Sequence, residues 1–355
     1  MFEGMATDPV RFHESHLRST PIRNLGLTLA GTRLEPILAE FDEELRRAGI
    51  TRVRPRFYLS TEWGVPFESV SIAIPFYLAR PDLTALHAER DGYVEGFNRA
   101  DILRYLRHEM GHVLNYAYRL YEDEAWVRQF GAITQPYVED YRPEPFSRRY
   151  VRHLPGWYAQ KHPDEDWAET FAVWMTPGLD WHLEYGGWPV ACAKLVYCDQ
   201  LMRSLGDREP IVTAVDLDED VGDIDYSLDQ YYHPKSMAPG DLPPGLDGAL
   251  RAIFEDLGLS GAGTADGAAT TGGAPALAPA ANLIRRLEPE LMANVFRWTG
   301  HFPERTRLLL RALADRAGQL NQGYAPYHET TAVVALTTLV TGLAMNYVQR
   351  GNYLP

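Results

Sequence analysis

Two short polar clusters, each set inside an apolar helical pattern, constrain this chain more than any other feature of its 355 residues. The first lies in FNRADILRYLRHEMGHVLNYAYRLY, residues 97–121. There Ile102, Leu103, Leu106, Met110, Val113, Leu114 and Ala117 recur at the 3.6-residue period and predict one long helix, with Asn98 or Asp101 to cap its start. Within it, HEMGH sets His108 and His112 four residues apart, so both imidazoles project from one face. That face is expected to be the polar one. Glu109 sits one step round, where a carboxylate reaches a water on a metal rather than the metal itself. Random placement gives about 0.02 such motifs per chain, and the plain alternative is two surface histidines on an amphipathic helix.

Two imidazoles alone bind a metal weakly, because a catalytic zinc takes three protein ligands and keeps one position open. The second cluster supplies a third. In HPDEDWAETFAVW, residues 162–174, Glu165 and Glu169 again stand four apart on one face of a predicted helix that begins near Pro163. Trp167, Phe171 and Trp174 mark a different, buried face. Glu165 is expected to complete a His108/His112/Glu165 shell for Zn2+. Glu169 would hydrogen-bond the far nitrogen of a ligand histidine and fix its tautomer. His162, Asp164 and Asp166 compete as ligands, and the plain alternative is a solvated acidic face.

The surroundings read as an α+β chain. Residues 1–30 are irregular. A helix is expected over 34–49, stopping at Gly49, and strands over 51–60 and 69–79, the latter an edge strand because Pro75 cannot donate to a ladder. A further helix is expected over 189–204. The metal-binding domain spans 31–240. Residues 241–282, rich in Gly, Ala and Pro over their later part, read as a flexible linker. Helices over roughly 283–297, 303–320 and 328–349 form a C-terminal helical region, residues 283–355, suited to a protein partner.

Composition narrows the function classes. A net charge of -14 argues against nucleic acid. Cys192 and Cys198 would lie on different faces of one helix, and the N-terminus has no basic start followed by an apolar run, so a reducing, cytoplasmic setting is expected. The apolar stretch from Thr331 is about 15 residues, short for a membrane span. Neither a phosphate loop nor a G-x-S-x-G elbow is present. His153 and the basic run 147–152 could contact substrate, although polar surface is the plainer expectation for both.

HEMGH followed by EDWAE resembles the Glu-zincins, the thermolysin-type metallopeptidases. More narrowly, RHEMGHVLN with GWYAQKHPDEDWAETFA resembles the zinc-binding metallopeptidase family related to anthrax lethal factor. The resemblance covers about 50–205 and says nothing of 240–355. It implies a zincin-like domain that hydrolyses peptide or protein substrates, with Glu109 as general base and an edge strand, here 69–79, that pairs with extended substrate. It also implies an oxyanion donor at Tyr158, seven residues before Glu165. By sequence alone Tyr158 packs against Trp157 equally well. Asn115 departs from the family pattern, which often has Asp there. The alternative to an enzyme is a zinc-binding interaction protein that uses the fold as a platform.

Overall fold

A computed structural model describes residues 17–91, 93–138, 141–232, 246–257 and 277–353. It is a mixed fold, mostly helix with two small sheets, which fits the α+β class. The chain divides into two compact units. The first takes residues up to Arg90, Val94–Tyr141 and Phe146–Lys235, and the second takes Asp91–Tyr93, Arg142–Pro145 and the chain from Ser236 onward.

The first unit opens with helix α1 (Leu34–Arg47), whose Leu34, Ile37, Phe41 and Leu45 recur at helical spacing and are buried. Gly49 follows it at φ 78°, a left-handed turn that glycine adopts without a Cβ clash. Strands β1 (Arg56–Ser60) and β2 (Ser71–Pro75) pair in parallel, Arg56 opposite Ser71 and Ser60 opposite Pro75. The expected 69–79 strand is shorter in the structure. After Pro75 the chain turns into a 3-10 helix, Phe76–Ala79, because the ladder cannot continue past a residue without an N–H. Nor is β2 an open edge. All five of its residues are buried, and the Ala73 N–H donates to Gly64 O at 2.8 Å on the side away from β1. The segment Glu62–Val65 therefore lies on the side of β2 that the sequence leaves open.

Helix α2 (Pro81–Asp91) leads to α3 (Arg99–Tyr118), the central helix, capped by the Asn98 side chain accepting from the Asp101 N–H. Helices α4 (Glu124–Phe130), α5 (Pro163–Met175), α6 (Trp181–Tyr185), α7 (Pro189–Leu205) and α8 (Leu228–Tyr231) complete this unit. The core joins Ile102, Leu106, Met110 and Val113 of α3 to Phe41, Ile72, Ile74, Trp167 and Phe171. Helix α3 is buried nearly all round, so the polar face carrying His108 and His112 is interior, unlike the surface histidines of the plain alternative. Helix α5 packs beside it for the same reason: Trp167, Ala168, Phe171 and Ala172 are fully covered. Cys192 and Cys198 are both free.

In the second unit, the expected linker 241–282 is interrupted by structure. Residues 246–253 form helix α9 (Leu246–Ile253), with Leu246 and Leu250 buried, followed by the short strand β3 (Glu255–Asp256). Strand β4 (Ala278–Pro279) and helix α10 (Ala280–Arg286) occupy its end. Only residues 241–245 and 258–276 of the stretch lie outside the described residues. Part of the expected irregular N-terminal segment, 1–16, lies outside them too; Ile22 within the rest is buried in a 3-10 turn. The helix expected over 283–297 is two, α10 and α11 (Glu288–Thr299), because Pro289 cannot donate into a continuing helix. Helix α12 (Pro303–Gln319), strand β5 (Gln322–Tyr324) and helix α13 (Glu329–Arg350) follow, and β5 pairs antiparallel with both β3 and β4. Helix α13 is longer than the apolar stretch read from sequence, and by length and composition it could cross a bilayer. Its Leu336, Val340, Leu343 and Ala344 are buried in the second unit's own core.

Candidate metal centre

Helices α3 and α5 bring the two polar clusters together. His108 Nε2 lies 3.0 Å from Glu165 Oε2, His112 Nε2 lies 3.2 Å from the same oxygen, and the two Nε2 atoms are 3.1 Å apart. All three residues are buried, and they are the group that could hold a metal ion among the described residues. A tetrahedral ion with bonds of about 2.0–2.1 Å needs donor atoms about 3.3–3.4 Å apart. The observed triangle is a few tenths of an ångström smaller, so this donor set fits a small divalent cation with slight expansion.

The close approach of the helices is permitted by Gly111. A Cβ there would lie 2.7 Å from the Ala168 Cα, so no larger residue fits without parting α3 from α5. The Trp167 indole N–H also donates to Gly111 O at 2.8 Å.

Each ligand imidazole is oriented from behind. His108 Nδ1 meets Glu169 Oε1 at 3.0 Å. Glu169 is fully buried and also accepts from the backbone N–H groups of His153 and Leu154, at 3.0 Å and 2.9 Å to Oε2. His112 Nδ1 lies 3.1 Å from Asp164 Oδ2, a charge contact rather than a well-aligned hydrogen bond. Asp164 in turn accepts from Asn115 Nδ2 at 2.7 Å and from the Tyr116 hydroxyl at 2.5 Å. Asn115 thus serves to hold Asp164.

The three rival ligands have other employment. His162 is the N-cap of α5, its Nδ1 accepting from the Asp164 N–H at 3.2 Å and its Nε2 donating to Gln135 O at 3.0 Å. Asp164 orients His112. Asp166 accepts from Lys194 Nζ at 2.5 Å, tying α5 to α7. His153, a possible substrate contact by sequence, instead turns its Nε2 to Arg104 O at 2.9 Å, and burial pushes its pKa down to about 4. In the basic run, Arg152 stacks over the Trp157 ring at 4.1 Å.

The charges inside the centre are strongly coupled. Burial alone would lower the His108 pKa, but hydrogen bonds to Glu165 and Glu169 outweigh it and carry it up to about 9. His112 is likewise raised, against its own burial, by the charges of Asp164 and Glu165. Burial would raise the Glu165 carboxyl, yet the facing imidazoles hold it well below the usual carboxylate range. The carboxylates that raise both imidazoles make a field that a divalent cation would find favourable.

Glu109 differs from its neighbours. Burial pushes its carboxyl up, and no hydrogen bond ties that carboxyl to another described residue. It lines a cleft of about 500 Å³ together with His108, His112 and Glu165. Tyr158 lines the same cleft, its ring 5.5 Å from that of His108. It begins a 3-10 turn, Tyr158–Gln160, after Trp157 in the left-handed conformation at φ 62°. Burial and the Glu165 charge raise its pKa well above the phenol range, so it stays a protonated hydrogen-bond donor. Trp157 packs with Phe146 and Arg152.

Sequence reasoning missed four residues here. Asp164, a rival ligand by sequence, is the partner of His112, and its place beside Glu165 in the first turn of α5 is the signal for it. Gly111 stood inside the motif without an assigned reason. Tyr116 and Tyr137 carry no local pattern; the Tyr137 hydroxyl donates to Glu165 Oε1 at 2.7 Å from 28 residues upstream. Every residue lining the cleft belongs to the first unit. No protein-family model, curated protein or solved structure matches this chain.

Proposed function

We propose that this protein is a zinc-dependent peptidase of zincin-like design, hydrolysing peptide bonds in a peptide or protein substrate. The observation that carries the reading is Glu109: a carboxyl beside a two-imidazole, one-carboxylate donor set, raised by burial and committed to no other group. Two imidazoles and a carboxylate suit zinc among several first-row metals, and a free neighbouring base is what metal-assisted hydrolysis requires. Bound there, zinc supplies the Lewis acidity that polarises a carbonyl and makes water acidic near neutral pH.

His108, His112 and Glu165 hold the ion, with Glu169 and Asp164 fixing the imidazoles so that both present Nε2. Glu109 takes the proton of the attacking water and delivers it to the leaving amine. Tyr158 donates a hydrogen bond to the carbonyl oxygen as negative charge develops there. Glu62, Trp63, Gly64, Val65 and Phe67 form one wall of the cleft and take the substrate-facing place that the resemblance implies for 69–79.

The test is peptide turnover by the purified chain, with metal content measured alongside. Chelation should abolish turnover and zinc should restore it. Glu109→Gln should keep the metal and lose about 10²–10⁴-fold in kcat. Wild-type turnover in that variant would refute the mechanism. Tight zinc binding with no turnover of any peptide library would favour the alternative, a zinc-stabilised interaction platform.

A further inference from the structure

The three ligand side chains each have a second polar atom, and each of those atoms is held. His108 Nδ1 is met by Glu169, His112 Nδ1 by Asp164, and Glu165 Oε1 by the Tyr137 hydroxyl at 2.7 Å. We propose that Tyr137 is a positioning residue of the metal centre, holding Glu165 as a one-oxygen ligand so that the remaining coordination position stays open for substrate. This rests on the metal-site reading above but not on the identity of the reaction.

The contact is built rather than incidental. Tyr137 follows a sharp turn at Gly131, where φ is 106° and a Cβ would meet Gln135 Nε2 at 2.8 Å and Pro163 Cγ at 3.3 Å. The segment is then tied to the start of α5, since His162 Nε2 donates to Gln135 O and the His162 ring lies 5.3 Å from that of Tyr137. Lys161 Nζ sits 4.3 Å above the Tyr137 ring, a cation–π contact. The anchor points, Lys161, His162 and Pro163, directly precede the turn of α5 that bears Glu165. The hydroxyl and the carboxylate are therefore held in register by the same helix end.

The geometry also separates the two phenols at the site. Tyr137 and Tyr158 hydroxyls are 3.3 Å apart. Tyr137 gives its proton to Glu165 Oε1, so in the 3.3 Å contact it is Tyr158 that donates, to the Tyr137 oxygen. Tyr137 is thus committed to the ligand, and the longer bond from Tyr158 is the one a substrate oxygen can replace. Without the Tyr137 hydroxyl, Glu165 Oε1 loses its partner and can swing onto the ion, turning a one-oxygen ligand into a two-oxygen one that fills the open position.

The test compares wild type, Tyr137→Phe and Tyr158→Phe as full-length chains. Metal affinity is read by competition with a chromogenic chelator, and coordination by the visible spectrum of the Co2+-loaded protein. Tyr137→Phe should weaken metal binding by about 10–100-fold, the scale of losing a residue that orients a ligand. Its Co2+ bands should lose intensity, as expected when coordination number rises above four. The circular dichroism spectrum of its metal-free form should match wild type, because the ring keeps its packing against Lys161 and His162. Tyr158→Phe should leave both metal readouts near wild type. Unchanged affinity and Co2+ spectrum in Tyr137→Phe would overturn the proposal, even if turnover fell, because Tyr137 would then act on substrate. Absence of peptide turnover in all three proteins would count against the peptidase reading while leaving these metal readouts to decide the role of Tyr137.

Discussion

Replacing Gly111 by alanine tests whether helix spacing sets the metal site. The added Cβ would sit 2.7 Å from the Ala168 Cα and 3.2 Å from its Cβ. Carbon atoms in contact prefer about 3.5–4.0 Å, so α3 and α5 must part by about 1 Å. Two ligands ride on α3 and the third on α5, and Ala168 lies between Glu165 and Glu169. The Glu165 Oε2 separations, now 3.0 and 3.2 Å, would open to about 4 Å, past the ~3.3 Å that a tetrahedral ion allows. Zinc affinity should fall by more than about 100-fold, exceeding the loss expected from an orienting residue. Overpacking costs about 1–3 kcal/mol and the better helix propensity of alanine returns about 1 kcal/mol. The net is a loss of up to about 2 kcal/mol. Gly342→Ala on α13 is the control, since nothing lies within 4 Å of a Cβ there and stability should rise slightly. Chelator competition and thermal unfolding of both variants read the outcome. Wild-type zinc affinity and undiminished stability in Gly111→Ala would refute the claim that this contact sets the ligand triangle.

Three further outcomes follow from the same geometry. Tyr158→Phe should lower kcat by about 10–1,000-fold with little change in KM and no change in zinc content; full activity would return Tyr158 to a packing role. Glu169→Gln keeps the shape of the side chain but removes the charge facing His108, and should weaken zinc binding by about 10–100-fold; an unchanged dissociation constant by chelator competition would remove it from the site. His301, fully buried in the second unit between Thr306 and Tyr353, has its pKa pushed down to about 4, first by burial and then by the Arg305 charge. The folded state resists the proton that the unfolded chain accepts below about 6.5, so its stability contribution is complete above that pH and is lost as pH falls toward 4. Between pH 8 and pH 5 this costs about 2 kcal/mol. Urea unfolding of His301→Gln should show a correspondingly shallower acid dependence than wild type; identical slopes would refute it.

The 3.6-residue pattern of 97–121 was sufficient to place α3, and Pro163 with the acidic first turn was sufficient to place α5, because helix periodicity and N-terminal signals are local. Four-residue spacing likewise gave the pairs His108/His112 and Glu165/Glu169. Strand limits were less legible. The ladder of β2 ends where Pro75 withholds its N–H, but that Gly64 covers the other side of Ala73 depends on a return of the chain that no local pattern encodes. Within the expected linker, helix α9 is not legible in the sequence because Leu246, Leu250 and Phe254 are buried against helices some 30 to 100 residues further on.

The sequence by itself determined which residue types could hold a metal and which faces of two helices would carry them. Only the tertiary structure decided that these faces meet, at a crossing that Gly111 and Ala168 make close enough for a three-point ligand set. Tertiary structure also turned Asp164 from a rival ligand into the partner of His112 and brought Tyr137 onto Glu165. Backbone periodicity acts over a few residues and can be read from the chain. Hydrogen bonds to a ligand's far atom are made by whatever the folded chain brings within 3 Å, and 28 residues of intervening sequence leave no mark of it.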